Sequence, residues 1–272
     1  MHKRRCTFLA LIAFLVTADA PAHACLFDQT QSHDITVKSD NEPRHYLLHL
    51  PQQQSAMPAP LVIVLHAFGE SAAAMESLSG FSAMADRQGF IAAYPEAETG
   101  GWRFAQQDSQ KDVDFIRAVI GDIAARMPVD TGRIILAGLS NGAQMAWRMG
   151  CVAPDLFAAI APVAGSYPLY DDCQSSLPLP VIAFHGTADK IMPYYGRFIQ
   201  FGPRAFMRGR TAQNRCDPKP ARAIRSGMIA EQWSDCRYGA DAAFYTIPGG
   251  AHAWPSGAEE LIWDFSEHHA RR

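Results

Sequence analysis

Short apolar runs alternate with stretches of helical periodicity along most of this 272-residue chain. Residues 61–65 form a near-continuous apolar run, the pattern of a strand covered on both faces. A helical segment over about 75–88 and a strand over 90–94 follow. In 113–126, Phe115, Ile116, Val119, Ile120 and Ile123 share one stripe of a helix. Residues 133–137 are a β-branched run long enough for one buried strand, and 143–149 continue as a helix without a breaker. Strands near 158–163, 181–184 and 243–247 and a helix over about 259–269 complete the alternation. Two earlier strands, 35–37 and 46–50, are joined by the polar turn Ser39-Asp40-Asn41-Glu42. This order predicts an α/β fold, a mostly parallel twisted sheet with helices on both faces.

One stretch does not follow the pattern. Residues 194–226 hold Tyr195, Phe198, Phe201 and Phe206, several arginines, and Pro203, Pro218 and Pro220. Their composition suggests an insertion over the sheet, either lid-like, part of a substrate wall, or a structural excursion pinned by cysteines.

The chain begins like an export signal. His2-Lys3-Arg4-Arg5 is charged, residues 6–18 are apolar, and Ala22-His23-Ala24 is an A-x-A cleavage site. The apolar stretch is short for a membrane span, and Asp19 and Pro21 interrupt it. Ala22-His23-Ala24 also lacks the leucine expected ahead of a lipid-modified Cys25. A signal peptide at 1–24 and a secreted or periplasmic product starting at Cys25 are therefore expected. The remaining 25–272 are long enough for one large domain. A net charge of −3 and the lack of a basic stripe give no sign of nucleic-acid binding.

Five of the six cysteines fall in that product. In an oxidising compartment the favoured pairs are Cys151 with Cys173 and Cys216 with Cys236, leaving Cys25 over. Each pair closes a loop of about twenty residues, worth roughly 3 kcal/mol. Zinc is the competing use of cysteines, but the chain has no C-x-x-C.

Chemistry enters at Gly138-Leu139-Ser140-Asn141-Gly142, where the 133–137 strand must turn sharply into the following helix. This is the context of a nucleophile elbow, and it makes Ser140 a candidate nucleophile. A serine hydroxyl needs an adjacent base, and the base needs an orienting carboxylate. On an elbow fold the order is serine, acid, histidine, each just past a strand's carboxyl end. Asp189 follows the 181–184 strand and His252 follows the last strand, so order and position both hold. His185, at a strand end, is expected to pack or hydrogen-bond beneath such a site. Asp112 and Asp114 suit the positive end of their helix. Donors for a developing oxyanion are expected from the N–H groups of Asn141 and Phe68.

The stretches Leu-His-Ala-Phe-Gly-Glu-Ser at 65–71, Gly-Leu-Ser-Asn-Gly-Ala-Gln-Met-Ala at 138–146, His-Gly-Thr-Ala-Asp at 185–189 and Gly-Gly-Ala-His-Ala-Trp-Pro at 249–255 resemble the polyhydroxybutyrate depolymerase and feruloyl esterase branch of the α/β-hydrolases. The resemblance runs from about residue 44 to the end. It implies a secreted serine esterase with Ser140, Asp189 and His252 as its triad. Two departures stand out: His66-Ala67 replaces the branch's usual His-Gly, and Gly101-Trp102-Arg103-Phe104 lacks the cysteines that flank the tryptophan there.

The expected reaction is hydrolysis of small-molecule or oligomeric esters, feruloyl-type or short hydroxyacyl, needing neither metal nor organic cofactor. Trp102, Tyr194 and Trp254 are candidate walls for an aromatic or sugar-bearing acid. Two other classes share the fold. A serine peptidase would use the same triad, and a binding module would keep the fold without the chemistry.

Overall fold

The computed structural model describes residues 32–53, 57–105, 107–168, 173, 177–196 and 200–271. The expected signal peptide, Cys25 and Phe198 lie outside these, as does the side chain of Phe201.

The polar turn at 39–42 closes a hairpin between β1 (His33–Ser39) and β2 (Glu42–His49). Asp40 and Asn41 adopt φ of 50° and 64°, the left-handed pair that a two-residue turn needs to match strand twist. The apolar run that follows is β3 (Ala59–Leu65). The helical segment after it is two helices, α1 (Ala72–Ser79) and α2 (Phe81–Gln88). Gly80 between them sits at φ 75°, a conformation that ends one helix and lets the next start at a new angle.

Next come β4 (Ile91–Pro95), α3 (Gln110–Arg126), β5 (Val129–Leu139) and α4 (Asn141–Val152). Strand β5 starts before its apolar run because Val129 pairs with Ala59 ahead of a register shift. The chain continues through β6 (Ala159–Val163), the two-residue β7 (Tyr167–Pro168), β8 (Val181–Gly186) and β9 (Gln200–Phe201). It closes with α5 (Pro203–Gln213), β10 (Ala221–Arg225), β11 (Met228–Trp233), β12 (Ala242–Ile247) and α6 (Ala258–Glu267).

Ten strands form one sheet in the order β1-β2-β4-β3-β5-β6-β8-β12-β11-β10. From β4 to β12 neighbours run parallel, while β1-β2 and β11-β10 add antiparallel margins. The continuous apolar runs are explained by helices on both sides. Leu61, Ile63 and Leu65 of β3 face the layer of α3 and α4, with Ile116, Val119 and Met145. Val62 and Val64 face the opposite layer, with Met75, Phe81 and Ile262.

The 194–226 stretch supplies secondary structure that its composition conceals. Pro203 opens α5, whose Phe206 stacks on Tyr167 with centroids 3.9 Å apart and meets Trp147 edge-on. Strand β10 is exposed along its whole length at the sheet margin. A Cys216–Cys236 disulfide ties the segment to the stretch after β11, and Cys151–Cys173 joins the last turn of α4 to the chain beyond β7.

Candidate active site

Ser140 occupies the single residue between β5 and α4 and adopts φ 57°, ψ −113°. That region is unfavourable for any residue but glycine and persists only where the surroundings over-determine it. Here the Ser140 N–H donates to Val163 O at 2.9 Å, and its carbonyl accepts the Gln144 N–H at 3.1 Å. The two flanking glycines are required by close approach. A Cβ at Gly138 would lie 2.4 Å from Gly142 O, and one at Gly142 would lie 2.4 Å from Leu65 O. The turn is as tight as the motif implies because two backbones touch there.

Asp189 lies in the turn after β8 and is buried. Its Oδ1 accepts the N–H groups of Ile191 (2.9 Å) and Met192 (2.8 Å). Its Oδ2 lies 2.8 Å from His252 Nδ1 and 3.3 Å from His185 Nε2. Burial acts to raise the carboxyl's pKa, but the hydrogen bonds from His185, His252 and the Met192 N–H outweigh it and bring it down to about 2. Asp189 is thus an ionised acceptor of three N–H groups, with the His185 Nε2–H beside it. His185 also donates from Nε2 to Met192 O at 2.7 Å, so it packs beneath the carboxylate as its strand-end position suggests.

His252 follows β12 across a short glycine loop, which is stitched to the loop carrying Asp189. Ala188 N–H donates to Gly250 O at 2.9 Å, and Gly249 N–H to Thr187 Oγ1 at 2.7 Å. A Cβ at Gly186 would sit 2.2 Å from Gly250 O, so glycine is needed for the loops to touch. With Nδ1–H directed at the ionised Asp189, the imidazole presents Nε2 as an acceptor.

Ser140 and His252 line one cleft of about 890 Å³, together with Phe68, Asn141, Ile191 and Trp254. The Phe68 loop is held from below by His66, which is fully buried. The Ala97 N–H donates to His66 Nε2 at 3.0 Å, leaving Nδ1–H to donate to Ala67 O at 2.8 Å. Gly69 N–H in turn donates to Gly100 O at 2.7 Å.

The candidate walls separate. Trp254 lines the cleft, packed edge-on against Phe81. Trp102 and Tyr194 do not line it. Trp102 is 3 % exposed, stacks on Phe115, and donates from Nε1 to His66 O at 3.0 Å. The Asn141 side chain clamps its backbone, accepting Trp102 N–H at 2.6 Å and donating to Trp102 O at 3.1 Å. Tyr194 is buried behind His185, with its hydroxyl 2.8 Å from Thr246 Oγ1 and accepting from Arg204 Nη1 at 3.2 Å. Both aromatics turn inward because their polar ends find buried partners there.

Sequence reading also missed part of the rim. Ile191 and Leu78 line the cleft and are exposed, as is Phe68. An apolar Ile191-Met192 pair two residues after the acid was the available signal. Asp112 has a role beyond its helix end. It is fully buried, 3.0 Å from Arg44 Nη2, and accepts the Arg103 N–H at 2.7 Å, which anchors the loop carrying Trp102. Among the described residues, no group of three or more His, Cys, Asp or Glu side chains could hold a metal ion, and no helix is long and apolar enough to cross a membrane.

Residues 44–186 match the family model described as Esterase PHB depolymerase. The putative esterase NocK of Nocardia uniformis subsp. tsuyamanensis is 31% identical over 247 residues, covering 79% of this chain and 71% of that protein. Feruloyl esterase B of Piromyces equi is also 31% identical, over 76% of this chain, which spans 41% of that longer protein. Among solved structures, an acetyl xylan esterase from Aspergillus awamori superposes with a TM-score of 0.65 at 14% identity, over 88% of this chain and 99% of that one. The structural likeness shows the α/β-hydrolase fold, and the family match with the NocK relationship shows the kinship. The chain belongs to the PHB depolymerase esterase family and is a carboxylic-ester hydrolase of the α/β-hydrolase fold.

Proposed function

We propose that Ser140, His252 and Asp189 carry the hydrolysis through an acyl-enzyme. Ser140 Oγ attacks the ester carbonyl while His252 Nε2 takes its proton. Asp189 holds the imidazole by Nδ1 and stabilises the imidazolium that forms. The N–H groups of Asn141 and Phe68 serve the oxyanion, both residues lying in the cleft with Ser140. His252 then returns the proton to the leaving alcohol, and water repeats the sequence to release the acid. The observation that carries this reading is the 2.8 Å contact of His252 Nδ1 with Asp189, on a histidine that shares a cleft with a strained elbow serine.

The substrate class we propose is uncharged esters with an aromatic feruloyl-type or short hydroxyacyl acid. Phe68, Leu78, Ile191 and Trp254 supply an apolar lining for such a group. Export to an oxidising compartment belongs to the same reading, supported by the two disulfides.

The test is turnover of p-nitrophenyl acetate, p-nitrophenyl butyrate and methyl ferulate by the wild type and Ser140→Ala. The expected result is turnover that falls by at least about a thousand-fold in the variant. Ferulate release favours the aromatic acid, and turnover of only the short esters favours the hydroxyacyl one. Ester turnover that survives Ser140→Ala rules out the assignment.

A further inference from the structure

Glu70 is an ionisable side chain lining the cleft that the proposed chemistry does not use. It stands between β3 and α1, is exposed, and has no ion-pair partner among the described residues. A helix-terminus role does not account for it. The first turn of α1 is already served by Glu96, whose Oε2 accepts the Ala72 N–H at 2.6 Å, and by the Ser71 side chain, which caps Ala74 N–H. Among the described residues, no lysine or arginine lines the cleft. Among the described residues the lining is thus largely apolar, with Glu70 as its one carboxylate.

We propose that Glu70 sets the charge selectivity of this cleft, admitting neutral and cationic esters and turning away esters and products that carry a carboxylate. The inference rests on the esterase reading above. Its physical basis is Coulombic. A cleft of about 890 Å³ is roughly 10 Å across, comparable to one Debye length at about 0.1 M salt. Repulsion at that range, in a half-aqueous site, corresponds to a discrimination of roughly three- to ten-fold. The same repulsion favours departure of the acid product, which is ionised once formed.

The experiment compares mono-p-nitrophenyl glutarate with its methyl ester, and ferulate with ferulamide, on the wild type, Glu70→Gln and Glu42→Gln. Glu42 is a remote exposed carboxylate on the β1–β2 hairpin and controls for net charge. The expected result is that Glu70→Gln raises kcat/KM for the anionic ester about three- to ten-fold at low salt, with the methyl ester changed less than about two-fold. Binding of ferulate tightens relative to ferulamide by a similar factor, Glu42→Gln moves neither ratio, and about 0.5 M salt shrinks the difference. A Glu70→Gln variant that shifts charged and neutral ligands equally, or shifts neither, overturns the proposal. Binding of the acid and amide needs no turnover. An inactive wild type would thus strike the esterase reading alone, while the ferulate-to-ferulamide ratio still decides the role of Glu70.

Discussion

Asp189 shows how one residue's surroundings decide its chemistry. An aspartate in a turn after a strand is common, and what suits this one to orient His252 is that it accepts N–H groups from Ile191, Met192 and His252. The resulting pKa of about 2 lies below the ordinary 3.8. A depressed native pKa contributes stability above the unfolded value, and that contribution is lost as pH falls through the native one. The shift corresponds to about 2 kcal/mol. Chemical denaturation of the wild type and Asp189→Asn between pH 6 and 2 should therefore show a stability gap that is constant above about pH 5 and narrows by about that amount toward pH 2. A gap that stays constant with pH would mean the native carboxylate titrates like an unfolded one. At neutral pH the same variant should lose roughly four orders of magnitude in kcat, since an amide stabilises the wrong tautomer.

At the scale of elements, the elbow depends on a loop that contributes no reacting group. Asn141 clamps Trp102, Trp102 reaches His66 O, and Arg103 N–H is taken by Asp112, which Arg44 neutralises. Arg44 also lies 3.9 Å over the Phe115 ring, so its guanidinium has a fixed seat between α3 and β2. Replacing it by Met leaves a fully buried carboxylate with a weaker partner set. Thermal unfolding of Arg44→Met is expected to show a loss of about 3 kcal/mol, and Arg44→Met/Asp112→Asn to recover part of it. A double variant no better than the single one would show that the charge pair is incidental to the loop. The elements themselves were largely legible beforehand, because runs such as 61–65 and 133–137 can be buried only as central strands. The break at Gly80 was not, since a helical stripe continues across it and only the left-handed φ reveals the turn. Nor were α5 and β10, whose residues are too polar to show a period: β10 is exposed throughout.

Across the whole molecule, one disulfide ties the 194–226 stretch to the chain after β11, and the other ties the last turn of α4 to the chain beyond β7. Cys216–Cys236 closes 20 residues and Cys151–Cys173 closes 22. Chain entropy assigns each roughly 3 kcal/mol. Replacing Cys216 and Cys236 by Ser should lower Tm by roughly 6–12 °C in a domain of this size. An unchanged Tm would mean that α5 and the β11–β12 pairing hold the segment without the bridge.

The sequence by itself determined the parallel architecture, a serine at the elbow, and the places of Asp189 and His252 after later strands, and it favoured the two cysteine pairings that the fold forms. Each of these follows from constraints that act over a few residues, such as burial period, turn chemistry and loop length. Only the tertiary structure decided which aromatics meet the cleft. Trp254 lines it, while Trp102 and Tyr194 turn inside, toward His66 O and Thr246. Loop side chains have no period to point them, and their direction is set by where a distant part of the chain leaves a partner for an indole N–H or a phenol hydroxyl.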